Sequence, residues 1–291
     1  MNFQKSKVLL SCALMMLVLL AGAVSAAEAA FTPLALDAQT GIKPDAQYYL
    51  PDRGGYEDPS LKVTIEAMRE HETNILVARV KIADPSQIRT TMAARYGSTG
   101  GVLPDKLAKR VNAVLAVNGD FFNFNSTGYL VRQGKLYRNK THTPSDILII
   151  DDKGDFTIIV DPTEEKVQAF EGTIVNSFNF GPALVVDGEI IHTTKELNVG
   201  LEKETQRMGV AQVGPLEYLC VATEGPENEG SDGLTIPEFA QLMKDLGAVQ
   251  ASNLDGGSSS AMMLGGEKIN ALSSRKMRPI CDLLYFSTLV E

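Results

Sequence analysis

The feature that most constrains the fold is a succession of short apolar runs, separated by tight-turn signals, that begins at Gly128. Asp187-Gly188 separates two such runs, and an Asp-Gly pair in this position is typical of a β-hairpin. Similar turns follow at residues 151–154 and at Gly214-Pro215. Upstream, residues 61–66 alternate apolar and polar side chains, as a strand with one buried face does. We therefore expect a chain dominated by strands.

Only a few helices are indicated. Pro104 opens a short one, since proline fits the first helical turn. Thr235 and Glu238 fit a capping box at the start of a second helix, and Gly247 is its stop signal. We therefore predict a single α+β domain at residues 61–291, strand-rich, with at least one large mixed sheet and few flanking helices.

The N-terminus has the pattern of a signal peptide at residues 1–27. Lys5 and Lys7 precede an apolar run at residues 8–24, which ends in small side chains. An uncleaved membrane anchor is the competing interpretation, because the run is near the lower length limit for a span. We expect an exported protein, periplasmic, at the cell surface or extracellular. Residues 28–60, rich in proline and glycine, are predicted to form an extended lead-in.

Charge and cysteine content restrict the partners further. The formal net charge of −9 disfavours a nucleic-acid partner, because it repels the phosphate backbone. Cys220 and Cys281 lie in apolar, strand-like segments. Export permits a disulfide between them if their strands are neighbours, and two buried, unpaired cysteines fit the sequence equally well. The three histidines are scattered, and no spacing typical of a zinc site occurs.

Two clusters of polar residues each follow a predicted strand. Residues 113–117 form a continuous apolar run that ends in Asn118-Gly119-Asp120-Phe121-Phe122. A second strand leads into Asn253-Leu254-Asp255-Gly256-Gly257, followed by Ser258, Ser259 and Ser260. Paired glycines and serine donors suit a concave anion site, and each aspartate adds a carboxylate. A plain turn with packed phenylalanines and a glycine-rich hairpin with solvated serines are the simpler interpretations of the two clusters taken singly.

Taken together, the two clusters resemble those of the phosphodiester glycosidase family, and the resemblance runs from about Lys62 to the C-terminus. Further matching pieces are Gly128-Tyr129-Leu130-Val131 with Gly134, Gly181-Pro182-Ala183-Leu184 with Asp187-Gly188, Gln206-Arg207-Met208-Gly209-Val210, Ser231-Asp232-Gly233-Leu234-Thr235 and Arg278. The chain departs from the family in having two glycines, rather than three, before the serines. It also has Gln206-Arg207-Met208 where the family often has Pro-Arg-Thr.

The resemblance implies hydrolysis of a sugar 1-phosphodiester, which frees the sugar and leaves a phosphomonoester. In bacteria it implies a role in the cell envelope or in exopolysaccharide metabolism. The chemistry needs carboxylates at the anomeric carbon and donors for the phosphate. We expect Asp120 and Asp255 to be the carboxylate pair. The residues expected to bind substrate or phosphate are Asn118, Gly119, Arg207, Asn253, Gly256, Gly257, Ser258, Ser259 and Arg278.

Other functions fit parts of this pattern. A non-catalytic envelope protein that binds glycans or phosphodiester polymers would use the same anion site without a carboxylate pair. A serine hydrolase is disfavoured, because the serines lack a Gly-x-Ser-x-Gly elbow. No cofactor or metal is predicted, although Asn118, Asp120, Asn123 and Asn125 are oxygen donors that would suit Ca²⁺.

Overall fold

The computed structural model describes residues 31–192, 199–271 and 276–291, so the predicted signal segment lies outside the described residues. The α-helices are α1 (Pro104–Arg110), α2 (Glu164–Gln168) and α3 (Ile236–Asp245). The strands, in chain order, are β1 (Tyr49–Leu50), β2 (Gly55–Glu57), β3 (Leu61–Glu70), β4 (Thr73–Ile82), β5 (Ile88–Met92), β6 (Leu115–Asn118), β7 (Gly128–Arg132), β8 (Lys135–Lys140), β9 (Ile147–Asp151), β10 (Phe156–Ile159), β11 (Ile174–Phe178), β12 (Ala183–Val186), β13 (Glu189–Ile190), β14 (Met208–Gly214), β15 (Glu217–Thr223), β16 (Gln250–Leu254), β17 (Met262–Leu264), β18 (Glu267–Lys268) and β19 (Asp282–Phe286).

These strands form four sheets. The largest has nine strands in the order β1-β2-β3-β4-β15-β14-β16-β12-β13, and a second has five in the order β18-β17-β6-β19-β5. A three-stranded sheet (β10-β9-β11) and a two-stranded one (β7-β8) complete the set. The predicted strand-rich α+β domain with few helices is confirmed. The ladders within the described residues are antiparallel, including those of the large sheet that was expected to be mixed.

The sheets and helices pack in layers. One face of the large sheet, which carries Val63 and Val210, packs against the five-stranded and three-stranded sheets through side chains such as Val117 and Ile150. Helix α3 covers its opposite face. Helix α1 covers the outer face of the five-stranded sheet, with Leu107 fully buried. Strand β6 is therefore apolar on both faces because it lies between two cores, as its continuous apolar run predicts.

Helix α3 begins as its sequence predicts. Thr235 accepts from the backbone N–H of Glu238 through its side chain, and the Glu238 side chain accepts from the backbone of Thr235. This reciprocal pair satisfies two of the free N–H groups at the helix start. Gly209 on β14 lets the helix approach closely, because a Cβ there would lie 2.4 Å from Met243 and 2.8 Å from Phe239. The helix thus supports the middle of the large sheet, next to β16.

The segment predicted to be an extended lead-in contributes to the fold. Strands β1 and β2 extend the large sheet beyond β3, and Tyr56 is fully buried. Further upstream, the buried guanidinium of Arg89 on β5 donates to the backbone carbonyls of Ala35 and Ala38, both at 3.0 Å. A buried cation thereby fastens this segment to the five-stranded sheet.

Two further expectations concern single features. Cys220 and Cys281 are both buried and unpaired, so the disulfide alternative is not realised. Among the described residues, no helix is long and apolar enough to cross a membrane.

Candidate active site

The two predicted clusters meet. The loop after β6, in the five-stranded sheet, touches the loop after β16, in the large sheet, because the two sheets pack face to face. The backbone N–H of Asp255 donates to the carbonyl oxygen of Gly119 at 3.3 Å. The side-chain amide of Asn118 donates to the carbonyl of Asp255 at 2.6 Å and accepts from the N–H of Ala261 at 2.9 Å. Both aspartates therefore belong to one site.

Asp120 is a buried carboxylate, 3% exposed, that is surrounded by donors. Its Oδ1 accepts from the backbone N–H of Phe122 at 3.2 Å and from Arg132 Nη2 at 3.1 Å. Its Oδ2 accepts from the backbone N–H of Asn179 at 2.8 Å. Three N–H donors, one of them charged, suit a carboxylate anion with a fixed orientation.

Arg132 and Asp282 complete this arrangement, and neither was among the predicted site residues. The Arg132 guanidinium, 3% exposed, donates to both Asp120 and Asp282. It also lies over the Phe178 ring, 4.4 Å from the ring centroid. Arg132 lies between Val131 and Gly134, within a piece that resembles the family. This position is the one sequence signal that could have identified it as a site residue. Asp282 opens the last strand, and no local pattern distinguishes it from a solvated strand end.

The Asp282 carboxyl is fully buried, and its environment opposes ionisation. Burial raises its pKa well above the ordinary value; Arg132 acts to lower it, and Asp120 and Asp255 act to raise it. Its Oδ1 has no hydrogen-bond partner within the described residues. A Cβ on Gly119 would lie 2.5 Å from this oxygen, so only glycine fits between the carboxyl and the strand end. This close approach explains the glycine in the first cluster.

Asp255 differs from Asp120 in being half-buried. Burial raises its pKa to about 6; the hydrogen bond to Ser259 and the charge of Arg278 act to lower it, and the charge of Asp120 acts to raise it. A carboxyl with such a pKa exchanges its proton near neutral pH, which is the property required of a general acid or base. The site therefore holds two carboxylates in unlike environments.

The predicted phosphate loop is partly engaged in the fold. The Gly257 N–H donates to the carbonyl of Gln206 at 2.9 Å, so this amide is already used. A Cβ on Gly256 would lie 2.7 Å from the same oxygen, which explains the glycine there. Ser259 is buried against Asp255, whereas Ser258 is exposed, with its Oγ 3.5 Å from Arg278 Nη1.

Two residues that were predicted to bind substrate or phosphate instead donate hydrogen bonds to backbone carbonyls. The buried guanidinium of Arg207 donates to the carbonyl oxygens of four residues, Leu234, Val199, Gly200 and Lys203. The Asn253 amide donates to the carbonyl of Gly181 at 2.9 Å, and its Oδ1 has no partner in the described part of the chain. We therefore leave Arg207 out of the phosphate site, while Arg278, exposed and close to Asp255, stays a candidate.

The donor set does not indicate a resident metal. Within the described ranges, no group of three or more His, Cys, Asp or Glu side chains is arranged to hold a metal ion. Both oxygens of Asp120, the acidic member of the Ca²⁺ set considered above, already accept N–H donors. The expectation of no cofactor, with Ca²⁺ as the open alternative at these residues, stays untested.

Comparison with known proteins places this site in a family. A model of the family described as phosphodiester glycosidase matches residues 111–287. The SPbeta prophage-derived uncharacterized protein YomE of Bacillus subtilis (strain 168) is 25% identical over 197 residues, which are 66% of this chain. The chain spans only 30% of that relative's length.

Solved structures share the fold. The zebrafish N-acetylglucosamine-1-phosphodiester alpha-N-acetylglucosaminidase catalytic domain, auto-inhibited by its pro-peptide, superposes with a TM-score of 0.65 at 18% identity, covering 81% of this chain and 86% of that one. A hypothetical protein from Synechocystis has a TM-score of 0.53 at 17% identity, covering 78% and 62%. With the family model spanning both aspartate loops, the chain belongs to the phosphodiester glycosidase family.

Proposed function

We propose that this protein hydrolyses the glycosidic bond of a sugar 1-phosphodiester. Water adds to the anomeric carbon, the bond from that carbon to the phosphate oxygen breaks, and free sugar and a phosphomonoester result. The observation that carries this proposal is the contact between the Asp120 and Asp255 loops, which joins a fixed carboxylate to a proton-exchanging one. Glycoside hydrolysis commonly uses two such groups.

The two carboxylates would have different roles. Asp120, held by the Phe122 and Asn179 amides and by Arg132, stabilises positive charge that develops at the anomeric carbon. Asp255, with a pKa of about 6, carries the proton that must be moved. A phosphomonoester is a stable anion when it leaves, so little proton donation to it is required, and moving the proton of water is the more demanding task.

Arg278 and Ser258 would hold the phosphate. Both are exposed, their polar atoms are 3.5 Å apart, and the Arg278 charge acts on Asp255. An exposed guanidinium suits phosphate oxygens. We also propose that the protein is exported, on the strength of the N-terminal sequence pattern. The resemblance to the family supports a role in the cell envelope or in exopolysaccharide metabolism.

Turnover in ¹⁸O-labelled water tests the reaction. The purified chain is incubated with N-acetylglucosamine 1-(methyl phosphate), and the products are followed by ³¹P NMR and mass spectrometry. We expect the phosphodiester signal to be replaced by methyl phosphate that carries no ¹⁸O, because water attacks the anomeric carbon. Label in the phosphate would instead identify attack at phosphorus and overturn the glycosidase proposal. The Asp255→Asn variant is the control for a contaminating enzyme.

A panel of other sugar 1-phosphodiesters extends the test, since the family does not specify the sugar. Saturable binding of these compounds without turnover would favour the alternative of a non-catalytic envelope protein that binds glycan or phosphodiester polymers.

A further inference from the structure

Three phenylalanines lie on the two loops that hold Asp120 and have no part in the chemistry described so far. Phe121 follows Asp120, and Phe180 follows Asn179, whose N–H donates to that carboxylate. The Phe121 and Phe180 rings meet edge to face, with centroids 5.3 Å apart. The Phe124 ring centroid lies 6.2 Å from that of Phe121. We call these three rings the aromatic surface.

The aromatic surface is open to solvent. The Phe124 side chain is 64% exposed, and Phe121 and Phe180 are half-buried. Phe122, in the same turn, is 1% exposed and belongs to a separate core cluster. Phe121 packs partly against that same cluster, so the turn buries the Phe122 ring, half-buries Phe121 and leaves Phe124 exposed. Exposed apolar groups that adjoin a polar cleft are typical of ligand-binding surfaces.

A buried arginine fixes the turn that carries two of these rings. Arg138 on β8 is 8% exposed, and its Nη1 donates to the carbonyl oxygens of Phe122 and Asn125. Phe122 is the first residue of the single turn of 3-10 helix that ends at Phe124, and Asn125 is its C-cap. A surface that is ordered before binding loses little conformational freedom when a ligand arrives.

We propose that the aromatic surface binds the sugar that the reaction releases, and that this sugar is a neutral pyranose. The inference rests on the proposed function. In a sugar 1-phosphodiester, the sugar and the phosphate lie on opposite sides of the bond that breaks. The phosphate candidates are Ser258, on the loop after β16, and Arg278, which precedes β19 and lies 3.5 Å from Ser258, whereas the rings lie on the loops that hold Asp120. The sugar is thereby assigned to the loops that carry the rings.

The chemistry of the rings selects the kind of sugar. A pyranose has a face of C–H bonds that packs on an aromatic ring, while the hydroxyl groups at its rim stay available for hydrogen bonds. Phenylalanine offers neither charge nor hydrogen bond, so an acidic sugar would lose hydration at its carboxylate without a partner in these rings. The three rings form a compact cluster around Phe121, which suits a sugar ring better than a long acyl chain.

Kinetics of single variants give the first test. Phe124→Ala should raise KM for a neutral sugar 1-phosphodiester about three- to tenfold, with a smaller effect on kcat, because one aromatic contact is lost. Phe124→Tyr keeps the ring and should restore the KM. Leu50→Ala, at an exposed apolar position on the far edge strand of the large sheet, is the matched control and should match wild type. A KM for Phe124→Ala within twofold of wild type overturns the proposal.

Binding of sugars that lack phosphate tests the surface independently of turnover. Saturation-transfer NMR with methyl α-glucopyranoside and methyl N-acetyl-α-glucosaminide should show contact to ring protons in wild type, and a weaker signal in Phe124→Ala. If the glycosides bind in this Phe124-dependent way but wild type hydrolyses no sugar phosphodiester, the proposed function is wrong and the aromatic surface is still a sugar-binding surface. If phosphodiesters are hydrolysed but neither glycoside binds, the surface proposal is overturned alone. Tighter Phe124-dependent binding of methyl glucuronide or octyl phosphate also overturns it.

Discussion

The side-chain amide of Asn118 donates to the backbone carbonyl of Asp255 across 2.6 Å. This bond joins the end of a strand in one sheet to the loop that leaves a strand in the other. The Asn118 side-chain oxygen also accepts from the N–H of Ala261, so both polar atoms of the amide are hydrogen-bonded. The relative position of the two aspartate loops therefore depends on an uncharged side chain that is hydrogen-bonded to the backbone.

Replacing Asn118 by aspartate tests this dependence. The substitution keeps the shape but places an acceptor oxygen against the Asp255 carbonyl, where a donor is needed. We expect a loss of about 1–3 kcal/mol in the free energy of unfolding, measured by urea denaturation, together with a lower kcat. Wild-type stability and kcat in this variant would show that the bond does not position Asp255.

Asp255→Asn should abolish turnover and preserve the fold. Since the folded protein raises the Asp255 pKa from 3.8 to about 6, the folded state binds this proton more tightly than the unfolded state. Wild type therefore loses stability relative to the variant as the pH rises from about 4 to about 6, by up to about 3 kcal/mol. Urea denaturation of both proteins at several pH values measures this difference. Parallel stability curves would contradict the raised pKa.

Arg278→Ala should impair binding without unfolding the protein, because the side chain is exposed. We expect a higher KM with little change in Tm. Loss of the Arg278 charge should also raise the Asp255 pKa further, since that charge acts to lower it. The limb of the pH–rate profile due to Asp255 should then move to higher pH. An unchanged limb would show that the Arg278 charge does not affect the Asp255 pKa.

Arg132→Met should be strongly destabilising, because it leaves the buried carboxyl groups of Asp120 and Asp282 without their shared cation. A loss of about 3–5 kcal/mol is typical when one partner of a buried ion pair is removed. The double variant Arg132→Met with Asp282→Asn should recover part of the loss, which a double-mutant cycle measures. Additive losses would mean that the two residues do not interact energetically.

Arg207→Gln should lower Tm rather than affect phosphate binding. The guanidinium donates to four backbone carbonyls, and the shorter amide cannot reach them all. We expect a clear loss in the unfolding midpoint, with a KM near that of wild type in whatever fraction remains folded. A raised KM with unchanged Tm would return Arg207 to the phosphate site.

Local signals explain what the sequence predicted well. The capping box at Thr235 and Glu238 and the Asp187-Gly188 hairpin each depend on residues close together in the chain, so the pattern contains the whole interaction. The meeting of the two aspartate loops is different, because it depends on how two sheets pack. Only the resemblance to a family connected them in advance.

Long-range contacts explain what the sequence missed. The Arg132 and Asp282 pair joins residues 150 positions apart, and neither has a neighbour that marks it as buried. Arg207 was predicted to bind phosphate as part of a piece that resembles the family, but its partners lie in two other segments of backbone. The strands at residues 49–57 were obscured by proline and glycine, since these residues at a sheet edge resemble an irregular segment.

The stretch shared with the family, residues 111–287, begins after β5. In the structure, β4 pairs with β15 along its length, and β5 pairs with β19. Without β4 and β5, strands β15 and β19 would become edge strands with unpaired backbone N–H and C=O groups. Such exposed edges promote aggregation. In this chain, the strands that precede the family stretch therefore protect two of its strands from edge-to-edge pairing.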